Sequence, residues 1–315
     1  MKSLNQFFIL ITAFLCLNSC DRGRTTEQGA AGNGDPEYIE ISIRCDSCFQ
    51  KVLTAWIEDF NRSHPMIALI IADSNADFSL ISEDHLIELK DTGLWNVPVM
   101  REGIIPLISA RNPYLEKLQQ QGISKENLVR IFTGDQISWG EVLGTDAGEQ
   151  FAVYLPERGK GFNTKWANFL DINVESLQGE RYAYKDSLLN AFTSNPYAIA
   201  VLNACCAFDP ETNEIRGEVA PLSIDLNNDG RIDKKEHISN DLCEVERDLY
   251  LGLHPSELCH CIFLLADEMP ATEEKLVFIK WILTKGQHHV ADHGYSVIRH
   301  TAAKKIIEAL EARDQ

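Results

Sequence analysis

Positive charge is scarce in this chain: 29 lysines and arginines face 47 aspartates and glutamates, for a formal net charge of -18. A surplus of that sign works against binding a phosphate backbone or an anionic bilayer surface, so nucleic acid is not expected as a partner. The same charge also serves simply as solubilising surface. Long apolar runs are missing too. The sustained run at residues 7–17 is too short to span a bilayer and has the length of a signal-peptide core. Strand-turn nucleophile elbows and glycine-rich phosphate loops are not recognisable either. No catalytic residue is therefore assigned, and the chain is not expected to be an enzyme.

What is present begins with an export signal. Met1 and Lys2 precede the apolar run, which ends in Leu17-Asn18-Ser19-Cys20. That ending resembles a bacterial lipobox, which implies a lipoprotein signal peptide over residues 1–19 and acylation of Cys20. An ordinary signal peptide with a coincidental cysteine is the alternative. Residues 20–37 are rich in Gly, Thr and Asn and lack apolar periodicity, the composition of a flexible tether. The expected location is extracytoplasmic, with the membrane touched through the lipid anchor only.

Periodicity beyond the tether alternates between strand and helix. Residues 40–43 alternate as a short strand; Val52, Leu53, Trp56, Ile57 and Phe60 then fall at helical spacing until His64-Pro65. Residues 66–72 form an apolar run suited to a buried parallel strand. A second unit follows, with strands over 151–155 and 198–202 and helices over 164–170 and 185–192. The last third adds a strand over 261–265 and a helix over 273–284 closed by Gly286. That order predicts an α/β fold with mostly parallel sheets.

Residues 97–144 carry the most specific pattern. The run VPVMREGIIPLIS leads through Asn112-Pro113 into a phrase in which Ile131, Phe132, Gly134, Ile137, Trp139, Glu141 and Val142 occupy fixed places. Near the C-terminus stands FIKWILTKGQHHVADHGYSVI. Both resemble segments of the phosphate-binding (PstS-like) solute-binding proteins of ABC importers. The resemblance implies a two-lobed type II periplasmic-binding fold with two inter-lobe crossing strands. Residues 38–99 with 250–315 would form one lobe and 100–249 the other. It further implies capture of an oxyanion, phosphate by resemblance, and delivery to an ABC permease, with a monomer expected.

The ligand loops of that family map onto this sequence only in part. Its first loop falls on Arg44, Cys45, Asp46, Ser47 and Cys48, and its Asp and Ser phrase on Asp77 and Ser82. Its third loop falls on Arg158, Lys160, Gly161 and Thr164. Backbone N–H groups at helix starts, hydroxyls and basic side chains suit an oxyanion. For each basic residue a solvated surface role stays open.

Two further constellations stand apart. Asp225, Asn227, Asp229, Gly230, Asp233 and Glu236 match an EF-hand-like calcium loop over residues 225–236, with Arg231 contributing its backbone carbonyl. Short oxygen side chains converge on one Ca²⁺, and glycine permits the sharp turn. The preceding APLSI looks extended, so a structural ion is expected rather than an opening sensor. The alternative is an Asx-rich surface turn.

Seven cysteines remain beyond Cys16 and Cys20, an odd number: Cys45, Cys48, Cys205, Cys206, Cys243, Cys259 and Cys261. Structural disulfides, a soft transition-metal or thiophilic-solute site built with His260 in the Cys259-His260-Cys261 run, and a redox Cys45-x-x-Cys48 all compete. At a helix start the Cys45-x-x-Cys48 thiols are expected to favour thiolate.

Overall fold

In this computed structural model the described residues are 38–89, 93–135, 137–157 and 162–312, with the side chains of Ser47, Glu88 and Phe162 not described. The signal segment, Cys20 and the tether fall outside them, as do Arg158, Lys160 and Gly161. Strand β1 (Ile39–Cys45) and β2 (Ile67–Ile71) pair in parallel across helix α1 (Gln50–Ser63), the opening unit that periodicity predicts. The apolar face of α1 buries Val52, Leu53, Trp56 and Phe60. Strand β3 (Phe78–Ser82) pairs in parallel with the other edge of β1, and α2 (Glu83–Leu89) follows without a break.

Strand β4 (Trp95–Ser109) runs fifteen residues, eleven of them buried. Its first half pairs antiparallel with β11 (Cys259–Ala266) and its second half antiparallel with β8 (Ala198–Asn203). Between those strands the chain forms α3 (Leu115–Gln121), β5 (Ile123–Ser124), α4 (Lys125–Phe132), α5 (Trp139–Leu143), β6 (Ala152–Pro156), α6 (Phe162–Phe169), β7 (Glu180–Tyr182) and α7 (Lys185–Ala191). After β8 come α8 (Ala204–Ala207), β9 (Val219–Pro221), β10 (Ile224–Asp225) and α9 (Leu242–Leu251), and after β11 come α10 (Glu273–Ile282), α11 (Gln287–Ala291) and α12 (His300–Glu311). The main sheet has the order β2-β1-β3-β11-β4-β8-β6-β7, with β9 also on β4. Parallel pairing holds at both ends of the sheet, whereas every antiparallel pairing involves β4 or β11.

Three apolar clusters flank this sheet. One draws on residues between 41 and 100 and between 262 and 310, and the other two on residues between 104 and 259. β4 and β11 pass between them. The phrase around Trp139 builds the second region: Ile131, Phe132, Ile137 and Trp139 are buried, and Trp139 stacks on Phe151 with centroids 3.9 Å apart. Ser138 and Glu141 form a reciprocal capping box at the start of α5. Gly286 differs from expectation. Its N–H bonds to the Trp281 carbonyl at the end of α10, but its backbone is right-handed rather than the left-handed form of a glycine cap, and it also starts α11; a Cβ there would sit 2.8 Å from Trp281.

Candidate functional site

Ligands of open α/β sheets bind outside the carboxyl ends of the strands, where following helices present their N-termini. Here those ends are Cys45 on β1, Ser82 on β3, Pro156 on β6 and Asn203 on β8. Crossing strands β4 and β11 run between the two groups, and their polar residues Glu102 and His260 are 2% exposed. His260 Nε2 lies 3.1 Å from Glu102 Oε2, and its Nδ1 lies 3.4 Å from Asp84 Oδ2 at the start of α2. Asn203 Nδ2 donates to Glu102 Oε2 at 2.9 Å. Burial alone would lower the imidazole's pKa, but bonds and charge from Asp84 and Glu102 prevail and raise it to about 9. The imidazolium is thus held between two carboxylates. Asp84 Oδ1, Glu102 Oε1 and Asn203 Oδ1 are buried without a hydrogen-bond partner.

A second contact lies beside Cys259 and Cys261 on β11. Lys165 Nζ on α6 lies 2.7 Å from Glu83 Oε1 on α2, and Glu83 Oε2 accepts the Cys261 N–H at 3.1 Å. Asn163 fixes the start of α6 by donating to the carbonyls of Pro156 and Glu157. Glu83, Asp84, Glu102, Lys165 and Asn203 are not among the residues that sequence reasoning marks. One signal was available: Arg101-Glu102 interrupts an otherwise apolar run, and a carboxylate inside a buried strand needs a partner.

The marked residues are only partly brought together. Cys45 ends β1, Ser47 and Cys48 lie in the following turn, and Asp46 Oδ2 stands 3.7 Å from His85 Nδ1. Ser82 Oγ accepts the His85 N–H. Arg44 is exposed and donates through Nε to Ser79 Oγ at 2.7 Å. Asp77 corrects the expectation: it precedes β3, about 16 Å along the strand from Ser82. There its Oδ2 accepts from Ser42 N and Oγ at 2.8 Å, and its Oδ1 pairs with Lys275 at 2.7 Å. Those partners hold its carboxyl below the usual range against the opposing effect of burial. Thr164, half-buried, lies within α6.

All seven cysteines of the described region are free thiols. Cys205 Sγ and Cys206 Sγ are 3.8 Å apart at the end of β8. Their mutual hydrogen bond raises one thiol, Cys205, and lowers the other, Cys206. Cys48 stands at the mouth of the crevice within reach of Glu102, Asp46 and Cys206. Desolvation and those charges push its thiol well up, and burial with Asp46 does the same to Cys45. The helix start does not favour thiolate, because burial first and neighbouring carboxylates second raise both thiols. The Cys259-His260-Cys261 set is likewise corrected. Strand alternation sends His260 to the buried carboxylates and both cysteines to the opposite face.

Cys259 and Cys261 instead line an open cavity of about 900 Å³, with Arg101, Lys125, Lys235 and Arg299. His254, half-buried, also lines it; desolvation pushes its pKa down to about 4, and its Nε2 donates to the Ile104 carbonyl.

The loop over 225–236 follows a strand, β10 on β5, rather than a helix. Asp225 and Glu236 are each 5% exposed. Asp225 accepts the N–H groups of Asp229 and Gly230, and Glu236 accepts those of Leu226, Asn227 and Asp233. Gly230 has φ +74°, which a side chain would strain. Asn227, Asp229, Asp233 and the Arg231 carbonyl supply the oxygen ligands that a calcium ion takes, but no three of the carboxylates of Asp225, Asp229, Asp233 and Glu236 bring oxygens within 4.8 Å of one another here.

No family model matches the chain, and no curated protein matches it. Solved structures do. An ABC-type phosphate transport receptor from Vibrio cholerae is 13% identical, with a TM-score of 0.57 over 82% of this chain and 99% of that one. A putative phosphate ABC transporter substrate-binding protein with bound phosphate from Clostridium perfringens is 19% identical, with a TM-score of 0.57 over 82% and 100%. PstS from Borrelia burgdorferi is 14% identical, with a TM-score of 0.52 over 83% and 99%. With two groups of cores divided by crossing strands, this chain has the two-lobed α/β periplasmic-binding-protein fold of those structures.

Proposed function

We propose that the protein is a lipid-anchored, extracytoplasmic receptor that closes two lobes on a small oxyanion, phosphate by likeness, and presents it to an ABC-type permease. The observation that carries the reading is the crossing-strand architecture with helix starts converging on one crevice, an arrangement shared with structures named for phosphate transport. α6 is the element best suited to an anion. It follows the basic stretch Arg158 to Lys160 in sequence and carries Lys165, for which an anion would compete with Glu83. Binding and release need no nucleophile, so the reading is a non-enzyme working as a monomer. The loop over 225–236 holds one structural Ca²⁺, and Cys20 carries the lipid.

Calorimetry of the full chain with phosphate and with sulfate tests the ligand. Saturable one-site heat that Lys165→Ala weakens is expected, and no heat with either anion removes the oxyanion.

A second reading, a thiophilic solute or soft cation, is favoured by one observation: the Cys205 and Cys206 thiols lie beside Cys48 and the buried carboxylate of Glu102. Heat with Cd²⁺ that Cys206→Ser abolishes, with none for phosphate, would select it. A redox role for Cys45 and Cys48 is not favoured, since both thiols are raised; no turnover is expected in an insulin-reduction assay.

A further inference from the structure

Helices α1 and α11 are locked together by one buried hydrogen bond. Trp56 Nε1 donates to the Gly286 carbonyl at 2.8 Å, and Trp56 is fully buried. The lock places other side chains. Asp59 stands one turn beyond Trp56 on the same side of α1, while His288 and His289 lie in the first turn of α11. His289 Nε2 is 3.1 Å from Asp59 Oδ2, and the two imidazole centroids are 3.8 Å apart. One ligand atom from each of Asp59, His288 and His289 lies within 4.8 Å of the other two, the one such trio found among the described residues. His288 Nδ1 bonds to the Lys285 carbonyl, which as donor leaves the lone pair on Nε2. The site is open to an entering ion: side-chain exposure is 31% for Asp59 and 18% for His289, and His288 is exposed. Arg62, 3.6 Å from Asp59, is the competing cation.

We propose that Asp59, His288 and His289 bind a divalent transition-metal ion of the zinc, nickel or copper class. Two imidazoles and one carboxylate suit these ions, whereas calcium and magnesium require more oxygen ligands. Around a tetrahedral ion with bonds of about 2.0–2.1 Å, ligand atoms stand about 3.4 Å apart, so the trio closes by roughly an ångström and leaves one position for water. The ion would staple α1 to α11 on the outside of the first core. It involves neither the crevice, the calcium loop nor any thiol, so it stands whether or not the receptor reading does.

Co²⁺ is the probe, added to the full chain in detergent without an affinity tag. One ion per chain is expected, giving a visible d–d spectrum without a thiolate charge-transfer band, together with a rise in melting temperature. His289→Ala and Asp59→Asn should each weaken Co²⁺ binding by about tenfold or more. Because His288 is exposed, His288→Ala carries the same expectation should either of the others fail to fold. Failure to bind Co²⁺, a thiolate band, or unchanged affinity in His288→Ala would overturn the proposal.

Discussion

Titrating His260 out of its charged form measures what the buried crevice network contributes. The imidazole sits between Asp84 and Glu102, and its pKa is raised from 6.5 to about 9 despite the opposing effect of burial. A group whose pKa rises on folding gives its full stabilisation below the unfolded value and loses it as pH climbs through the folded one. The window is therefore pH 6.5 to 9. At about 1.36 kcal/mol per decade, that gap corresponds to about 3 kcal/mol of stability lost across it. Urea unfolding of the wild type and His260→Gln across about pH 6 to 10 reads the difference. Glutamine keeps a donor but leaves two buried carboxylates without their cation, so at pH 6 the variant should be weaker by roughly 3–5 kcal/mol. The gap between the proteins should narrow toward pH 10. Parallel stability curves for the two proteins would refute the reasoning, since other histidines titrate equally in both.

Three other perturbations follow from the same coordinates. Glu246 has a buried Oε1 without a partner, and burial followed by Asp292 and Asp241 raises its pKa to about 8, so folding favours its protonated form and stability falls from pH 4.5 to 8; Glu246→Gln should flatten that slope and add roughly 1–3 kcal/mol at pH 8 by urea unfolding. Trp139→Ala, which removes a fully buried ring stacked on Phe151, should cost about 3–5 kcal/mol, and a loss under about 1 kcal/mol would contradict its place in the core. Asp225→Ala should lower the melting temperature in calcium and erase the difference made by chelator, while leaving heat of solute binding nearly intact.

The fold was legible where periodicity reflects burial. Residues 97–109 read as a two-faced buried strand because β4 is covered on both sides by strands and cores, and β1, α1, β6, β8 and β11 were visible for the same reason, whereas β2, expected to be buried, is an edge strand that exposes Ile70 and Ile71 and buries only Leu69. Direction of pairing was not legible. The antiparallel contacts of β4 and β11 arise from connectivity, and hydrophobic pattern carries no sign of strand polarity. Gly286 was read only in part: its N–H does bond back to the Trp281 carbonyl, but its right-handed backbone also starts α11, makes room for the Trp281 ring and offers its carbonyl to Trp56, 230 positions away.

The site was harder to read, and electrostatics explains why. Of the residues that the resemblance marks, Cys45 ends β1, Asp46 and Cys48 follow it and Ser82 ends β3, whereas Asp77 precedes β3, about 16 Å along the strand from Ser82. Motif matching passed over Glu83 and Asp84 because no local pattern distinguishes them from a solvated acid, and over Glu102 although its place inside the apolar run of β4 was a signal. Their meaning comes from Lys165 and His260, contributed by distant segments. Together they set a constraint on any ligand. His260 is the cation that stands between Asp84 and Glu102, so a bound oxyanion would need further positive charge. The basic residues that the family resemblance marks for that part are Arg44, Arg158 and Lys160. A cationic or thiophilic solute would meet no such requirement. Charge reversal at Arg158 and Lys160 consequently separates the two ligands: Arg158→Glu with Lys160→Glu should abolish anion heat and leave or strengthen the response to Cd²⁺.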